Sequence, residues 1–232
     1  MHGVSMVLIN CGVRDAMHGA STEIKTLSMV SSSLISKLRK IAVPLPQEEV
    51  EKCNFCGRVL SPDHRHLVDL SAMKFMCTCE MCMITMAENG AYKPLPHRFL
   101  HLEDFIMSDQ LWSDFLIPVN MAFFVVSTGR SGTVAYYPAP TGATESKLKM
   151  EPWNQLVQLN HPLNDLTPDL EALLVNRLGD EGQYYIVPID SCYKLIGMIR
   201  IAWKGIFGGK EVNDIITQFF CELKEKSAKC PI

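Results

Sequence analysis

Five of the nine cysteines of this 232-residue chain lie between positions 53 and 82, as Cys53-Asn-Phe-Cys56-Gly57 and then Cys77-Thr-Cys79-Glu-Met-Cys82. Nothing else in the chain restricts its fold as much. Two Cys-x-x-Cys pairs joined by about twenty residues have the spacing of a thiolate metal site. Two cysteines three apart on a tight turn aim both sulfurs at one point, and a second such turn completes a tetrahedron. Gly57 suits the positive φ that such a turn often needs. The expected ligands are Cys53, Cys56, Cys79 and Cys82, on two matching knuckles. Cys77, His64 and His66 are alternates, and Cys77 is placed to replace Cys79. Four thiolates around zinc leave no open position, so the site reads as structural. Zn2+ is the expected ion; a rubredoxin-like iron or an iron–sulfur cluster is the alternative that the fifth thiol keeps open.

Length permits one large domain or a small module attached to a larger one. Apolar residues make up 47% and charged residues 20%, enough to bury a core. The formal net charge of −3 argues against a protein that relies on general attraction to phosphate. Lys37, Arg39 and Lys40 form a basic cluster that reads as the solvated face of a short helix. The most apolar stretch, Leu116 to Val126, is broken by Pro118 and Asn120, so no membrane span is expected. Met6-Val-Leu-Ile9 is too short for an export signal, which places the chain in a reducing cytoplasm where clustered cysteines hold metal.

The expected fold class is α+β, a small zinc-ribbon-like cysteine module followed by a mixed α+β domain. Residues 1–28 show no periodicity and read as a disordered extension. Residues 29–49 hold a helix and linker, with Leu34, Ile35, Leu38 and Ile41 as the stripe and Pro44 and Pro46 as the stop. The cysteine module spans residues 50–90, with strands at Leu67–Leu70 and Met73–Met76. The α+β domain spans 91–232. Ser108 caps a short helix, and Met121–Ser127 and Thr133–Tyr137 form a hairpin. Pro138 to Ser146 reads as a long loop suited to partner contact. Helices are expected at Glu151–Leu159, from Thr167 with Pro168 at its first position to Gly179, at Ser191–Lys204, and at Lys210–Lys226. Tyr184–Ile189 reads as a strand.

The other chemical candidates are weaker. Asp63-His64-Arg65-His66 reads as a turn opened by Pro62, with one histidine packed beside the metal. His97 and His101 stand four apart, but Pro94 and Pro96 oppose the helix that would bring them together. Gly205-Ile-Phe-Gly-Gly-Lys210-Glu departs from a phosphate loop in its first glycine and at Glu211. Cys192 and Cys221 lie in apolar segments and read as core filling.

The motifs Leu34-Ile-Ser-Lys-Leu-Arg-Lys, Cys53-x-x-Cys56-Gly57, His64-Arg-His-Leu67 and Cys77-Thr-Cys79-Glu-x-Cys82 together resemble an uncharacterised bacterial protein family. The likeness continues through Tyr137-Pro-Ala-Pro-Thr-Gly-Ala-Thr-Glu-Ser146, Glu171-Ala-Leu-Leu-Val-Asn-Arg177, Val187-Pro-Ile-Asp-Ser-Cys-Tyr193 and Gly208-Gly-x-Glu-Val212. Members of that family are typically encoded beside the structural genes of [NiFe] hydrogenases, so the resemblance implies a context and no reaction. The expected function is a non-catalytic, metal-binding accessory or assembly protein whose partners are [NiFe] hydrogenase subunits or maturation proteins. One alternative is electron transfer for the hydrogenase by iron at the same thiolates. Another is a zinc-ribbon module binding nucleic acid or a regulatory protein, which the acidic balance and the lack of basic–aromatic interleaving disfavour.

Overall fold

The computed structural model describes residues 50–231 apart from 73, 89, 131, 147, 180 and 204–208. The expected extension, the helix at 31–41 and its basic cluster lie outside these residues. The described residues open with a hairpin turn around Cys53 and Cys56, then two antiparallel strands, β1 (Arg65–Asp69) and β2 (Lys74–Thr78), and a helix, α1 (Glu80–Glu88). A two-residue strand, β3 (Lys93–Pro94), pairs with the other side of β1 and completes a three-stranded sheet in the order β2-β1-β3.

A larger sheet follows. Its strands are β4 (Leu100–Leu102), β5 (Met121–Ser127), β6 (Gly132–Ala139), β7 (Gly142–Ser146), β8 (Glu171–Asn176), β9 (Gln183–Pro188) and β10 (Ala228–Cys230). Their order is β10-β4-β9-β8-β5-β6-β7, and only the β10–β4 pair is parallel. Helices α2 (Asp109–Asp114) and α3 (Met150–Leu159) cover one face, with Trp112, Trp153 and Leu156 packed on Ala122, Phe124, Leu173 and Val175. Helices α4 (Ile189–Ala202) and α5 (Gly209–Lys226) cover the other, with Tyr193, Ile196, Ile216 and Phe220 beside Phe123, Leu174 and Tyr185. Val68, Phe75 and Leu95 join that second core, so the small sheet is seated on the α4 side of the body. The Phe75 and Tyr193 rings stand 5.6 Å apart at the junction.

Several expectations from sequence hold. Ser108 caps α2, its side chain accepting from Leu111 N–H. The β5–β6 hairpin forms in the expected place, with Ser127 opposite Gly132. Others need correction. Pro138 to Ser146 is not a loop: β6 runs to Ala139, the chain turns at Pro140 and Thr141, and Gly142 at φ 115° starts β7. A residue with a Cβ is strained at that angle, so glycine is what permits the reversal. The helix expected from Thr167 is instead a turn followed by strand β8. Glu171 N–H reaches the Thr167 carbonyl, and Asp169 takes a positive φ of 61°. Residues 171–176 are buried on both faces of the sheet, and such a strand shows a continuous apolar run in place of alternation. Helix α4 begins earlier than expected, at Ile189, without a side-chain cap. Cys192 is in the core as expected, whereas Cys221 is exposed on α5.

One charge lies at the heart of the sheet. Glu171 is 0% exposed, and Arg98 meets both its carboxylate oxygens, at 2.8 and 2.7 Å. Thr167 N–H donates to the same carboxylate at 2.9 Å. Burial works against the charged form, but the Arg98 and Thr167 donors outweigh it, and the carboxyl titrates below its ordinary value. Stability from this pair is therefore fully present above the ordinary glutamate range and is lost as pH falls through the lowered value. Glu171→Gln should cost about 2 to 4 kcal/mol, toward the low end because water reaches Arg98 at 36% exposure. Urea unfolding at neutral pH measures the loss, and the gap between variant and wild type should narrow in acid.

Candidate metal centre

The first cysteine turn is built by backbone hydrogen bonds that only a tight hairpin makes. Cys53 N–H donates to Arg58 O at 2.8 Å, Gly57 N–H to Cys53 O at 2.9 Å, and Leu60 N–H to Glu51 O at 2.8 Å. Gly57 takes φ 72°, as the sequence led us to expect, and a Cβ there would meet nothing within 4 Å, so the constraint is backbone strain alone. The second pair is held differently from the matching knuckle expected. Cys79 stands just before α1, its carbonyl accepting from Met83 N–H at 2.9 Å, and Cys82 lies in the first turn of that helix. A helix start exposes unpaired N–H groups, which suits sulfur atoms that carry negative charge.

These two elements bring the sulfurs of Cys53, Cys56, Cys79 and Cys82 to within 4.8 Å of one another, and all four are free thiols. The Cys56 and Cys79 sulfurs are 3.7 Å apart. A tetrahedral ion with metal–sulfur bonds of about 2.3 Å has sulfur–sulfur edges of about 3.8 Å, so the observed spacing suits such an ion. Asn54 ties the two halves together. Its N–H donates to Cys77 O at 2.9 Å, and its Oδ1 accepts from Cys77 N–H at 2.6 Å. Sequence reasoning passed over Asn54; an amide side chain inside a Cys-x-x-Cys turn is the signal that could have found it. Phe55 sets its ring against Tyr92, with centroids 5.6 Å apart, and so anchors the knuckle to the segment before β3.

The electrostatics of the cluster point the same way. Burial opposes ionisation of Cys53, but the backbone N–H groups of Cys79, Cys56 and Phe55 outweigh it and bring the thiol down to about 6. The Cys82 backbone N–H lowers Cys79 against the effect of burial. Cys82 moves oppositely, pushed up to about 12, first by its hydrogen bond with Cys79 and then by burial. Four sulfurs this close cannot all be anions without a cation among them. The group is thus a four-cysteine cluster able to chelate a metal ion, consistent with a small metal-binding module.

The remaining candidates are placed elsewhere. His64 and His66 do not join the four thiols; they gather with Cys77, again with donor atoms within 4.8 Å of one another. His97 stands 3.8 Å from Asp63, while His101 stacks on Tyr185 with centroids 4.8 Å apart, so each is engaged separately. Cys230 lies in β10. Residues 204–208 of the glycine-rich segment lie outside the described residues. No helix among the described residues is long and apolar enough to cross a membrane.

Removing a chelated ion should leave the cysteine turns with little to hold them, since binding free energy at such a site is folding free energy, on the order of 10 kcal/mol. On treatment with a strong chelator, amides of residues 53–58 and of the first turn of α1 should lose protection from hydrogen exchange. Amides of β5 and β8 should keep theirs, being buried in the body. The exposed Cys221→Ser should leave metal content unchanged, whereas Cys53→Ser should lower it.

Comparison with curated proteins finds no match, and comparison with solved structures finds none. A family model described as a family of unknown function (DUF5947) matches residues 52–227, from the residue before Cys53 to the one after α5. That span takes in both cysteine pairs and almost all of the body, and the chain belongs to this family.

Proposed function

We propose that this protein is a non-catalytic metalloprotein whose Cys53, Cys56, Cys79 and Cys82 hold a structural zinc ion, and that it serves a [NiFe] hydrogenase system as an accessory or assembly protein. The observation that carries the metal reading is the convergence of four free thiols from two separate elements. Zinc accepts four thiolates in a tetrahedron without demanding a further ligand, and the chain's own residues complete the set. The bound ion would supply positive charge and crosslinking there, fixing the Cys53 turn against the start of α1. A coordinatively closed ion activates no water and polarises no substrate, which fits a scaffold role.

The hydrogenase context is supported by the sequence resemblance alone. A contact role is supported by α1, none of whose residues is buried although Met81, Met83, Ile84 and Met86 lie along it. Met81 is 64% exposed and Ile84 49%. Methionine-rich apolar surface adapts to a partner at little cost in shape.

Protein purified anaerobically from its native cells should be colourless and contain zinc; visible absorption with iron in the metal analysis overturns the zinc reading. Hydrogenase subunits or maturation proteins should co-purify with it, and their absence overturns the accessory reading. The double variant Met81→Asp, Ile84→Asp should lose that association while keeping its zinc, because substitutions at exposed positions change stability by only about 0.5 kcal/mol.

A further inference from the structure

We propose that His64, His66 and Cys77 form a second metal site that takes a late first-row divalent cation such as zinc. His66 and Cys77 are directly opposed across the β1–β2 ladder, so both side chains stand on one face of the small sheet. Val68 and Phe75, the next such pair on that face, are buried against the α4 layer. The site therefore lies at the seam between the cysteine module and the body. His64 reaches it from the turn before β1, and its ring lies 4.6 Å from that of His66, centroid to centroid.

The protons are arranged for ligation. His64 Nδ1 is 2.9 Å from the carbonyl of Ser61, which can only accept, so the proton is on Nδ1 and Nε2 carries the lone pair. The His64 side chain is 5% exposed, and its Nε2 is buried with no hydrogen-bond partner among the described residues. A buried, orphaned imidazole nitrogen is costly unless something occupies it. His66 Nδ1 lies 2.7 Å from Asp190 Oδ2, at the start of α4, so its Nε2 is likewise the free donor. A carboxylate behind an imidazole fixes the tautomer and raises the basicity of a metal-binding histidine. Two imidazoles and a sulfur suit zinc and its first-row neighbours.

Cys77 is disulfide-bonded, so its sulfur becomes a metal ligand only after reduction. A dithiol reductant would transfer two electrons and two protons to that bond, becoming a disulfide itself and releasing Cys77 and its former partner as thiols. The incoming cation then displaces the Cys77 proton to solvent. With the disulfide intact, the two imidazoles remain as a weaker two-point site. Occupancy of the site accordingly follows the redox state of Cys77, whereas the four-thiol cluster does not involve that residue.

The test is a Co2+ titration of the full chain, oxidised or first reduced anaerobically with a dithiol and desalted, followed by sulfur-to-cobalt absorption. Reduced wild type should take up two equivalents, and the oxidised protein should bind the second at least tenfold more weakly. His66→Gln and Cys77→Ser should lose the second equivalent and keep the first, which shows that the module is folded. Asp190→Asn should keep the stoichiometry and weaken the second equivalent about 10- to 100-fold. A single equivalent in reduced wild type that His66→Gln still binds overturns the proposal, as does a second equivalent retained by His66→Gln. Cys53→Ser removes the first equivalent and spares the second, so this proposal and the four-thiolate reading fail separately.

Discussion

A strand buried on both faces tolerates an ionised side chain only if a partner comes inside with it, and the Arg98–Glu171 pair meets that condition in β8. Glu171 begins the strand at the middle of the sheet, between β5 and β9. Arg98 belongs to the short segment that leads out of the small sheet after β3 and into β4. It also donates to the carbonyl of Asp165 at 2.9 Å, which holds the turn before β8 in place. The same pair thus fixes the path of the connecting segment, the start of the central strand and the turn that precedes it. Such pairs define one arrangement more than they add net stability, since desolvation offsets most of their attraction.

The cysteine module rests on two supports of different kinds. One is apolar: Val68 and Phe75 on the small sheet, with Leu95 beyond it, share a core with Tyr193 and the other residues of α4. The other is the thiol cluster, where backbone donors draw Cys53 and Cys79 toward the anionic form and Cys82 stays protonated to high pH. The first support acts on β1 and β2. The second acts on the Cys53 turn and the start of α1, which have few large apolar side chains to bury. A module with so small a core of its own needs both.

Much of this was legible in the residues. The two Cys-x-x-Cys pairs announced the convergence of four sulfurs, because spacing on tight turns is a local property. The Ser108 cap and the β5–β6 hairpin were legible for the same reason. What was not legible is what the body imposes on the local chain. Thr167 and Pro168 give a good helix start, and Ala172-Leu-Leu-Val175 would continue one. Burial on both faces of a sheet rewards an extended segment more than propensity rewards a helix there. Pro138 and Pro140 suggested an open loop, yet β6 passes through Pro138 to pair with Ala143, and Pro138 needs no bond on its other side because the pairing of β6 with β5 reaches only to Tyr136. The Asp190 carboxylate faces His66 across more than a hundred residues of sequence. No local pattern encodes such a contact.

That last contact bears on the order in which the protein is made. Chains emerge from the ribosome N-terminus first and fold by units as they appear. Both cysteine pairs and the β1–β2 hairpin are complete once α1 has emerged, so four thiols can meet while the sheet of the body is still unsynthesised. Asp190, Val68's neighbours on α4 and the β10 strand that pairs with β4 arrive much later. For that interval the buried face of the hairpin, with Val68 and Phe75 on it, has no α4 to cover it. The nascent chain must keep that apolar surface from other contacts until the helix arrives, and a cysteine turn already closed would hold it in the shape the helix is to meet.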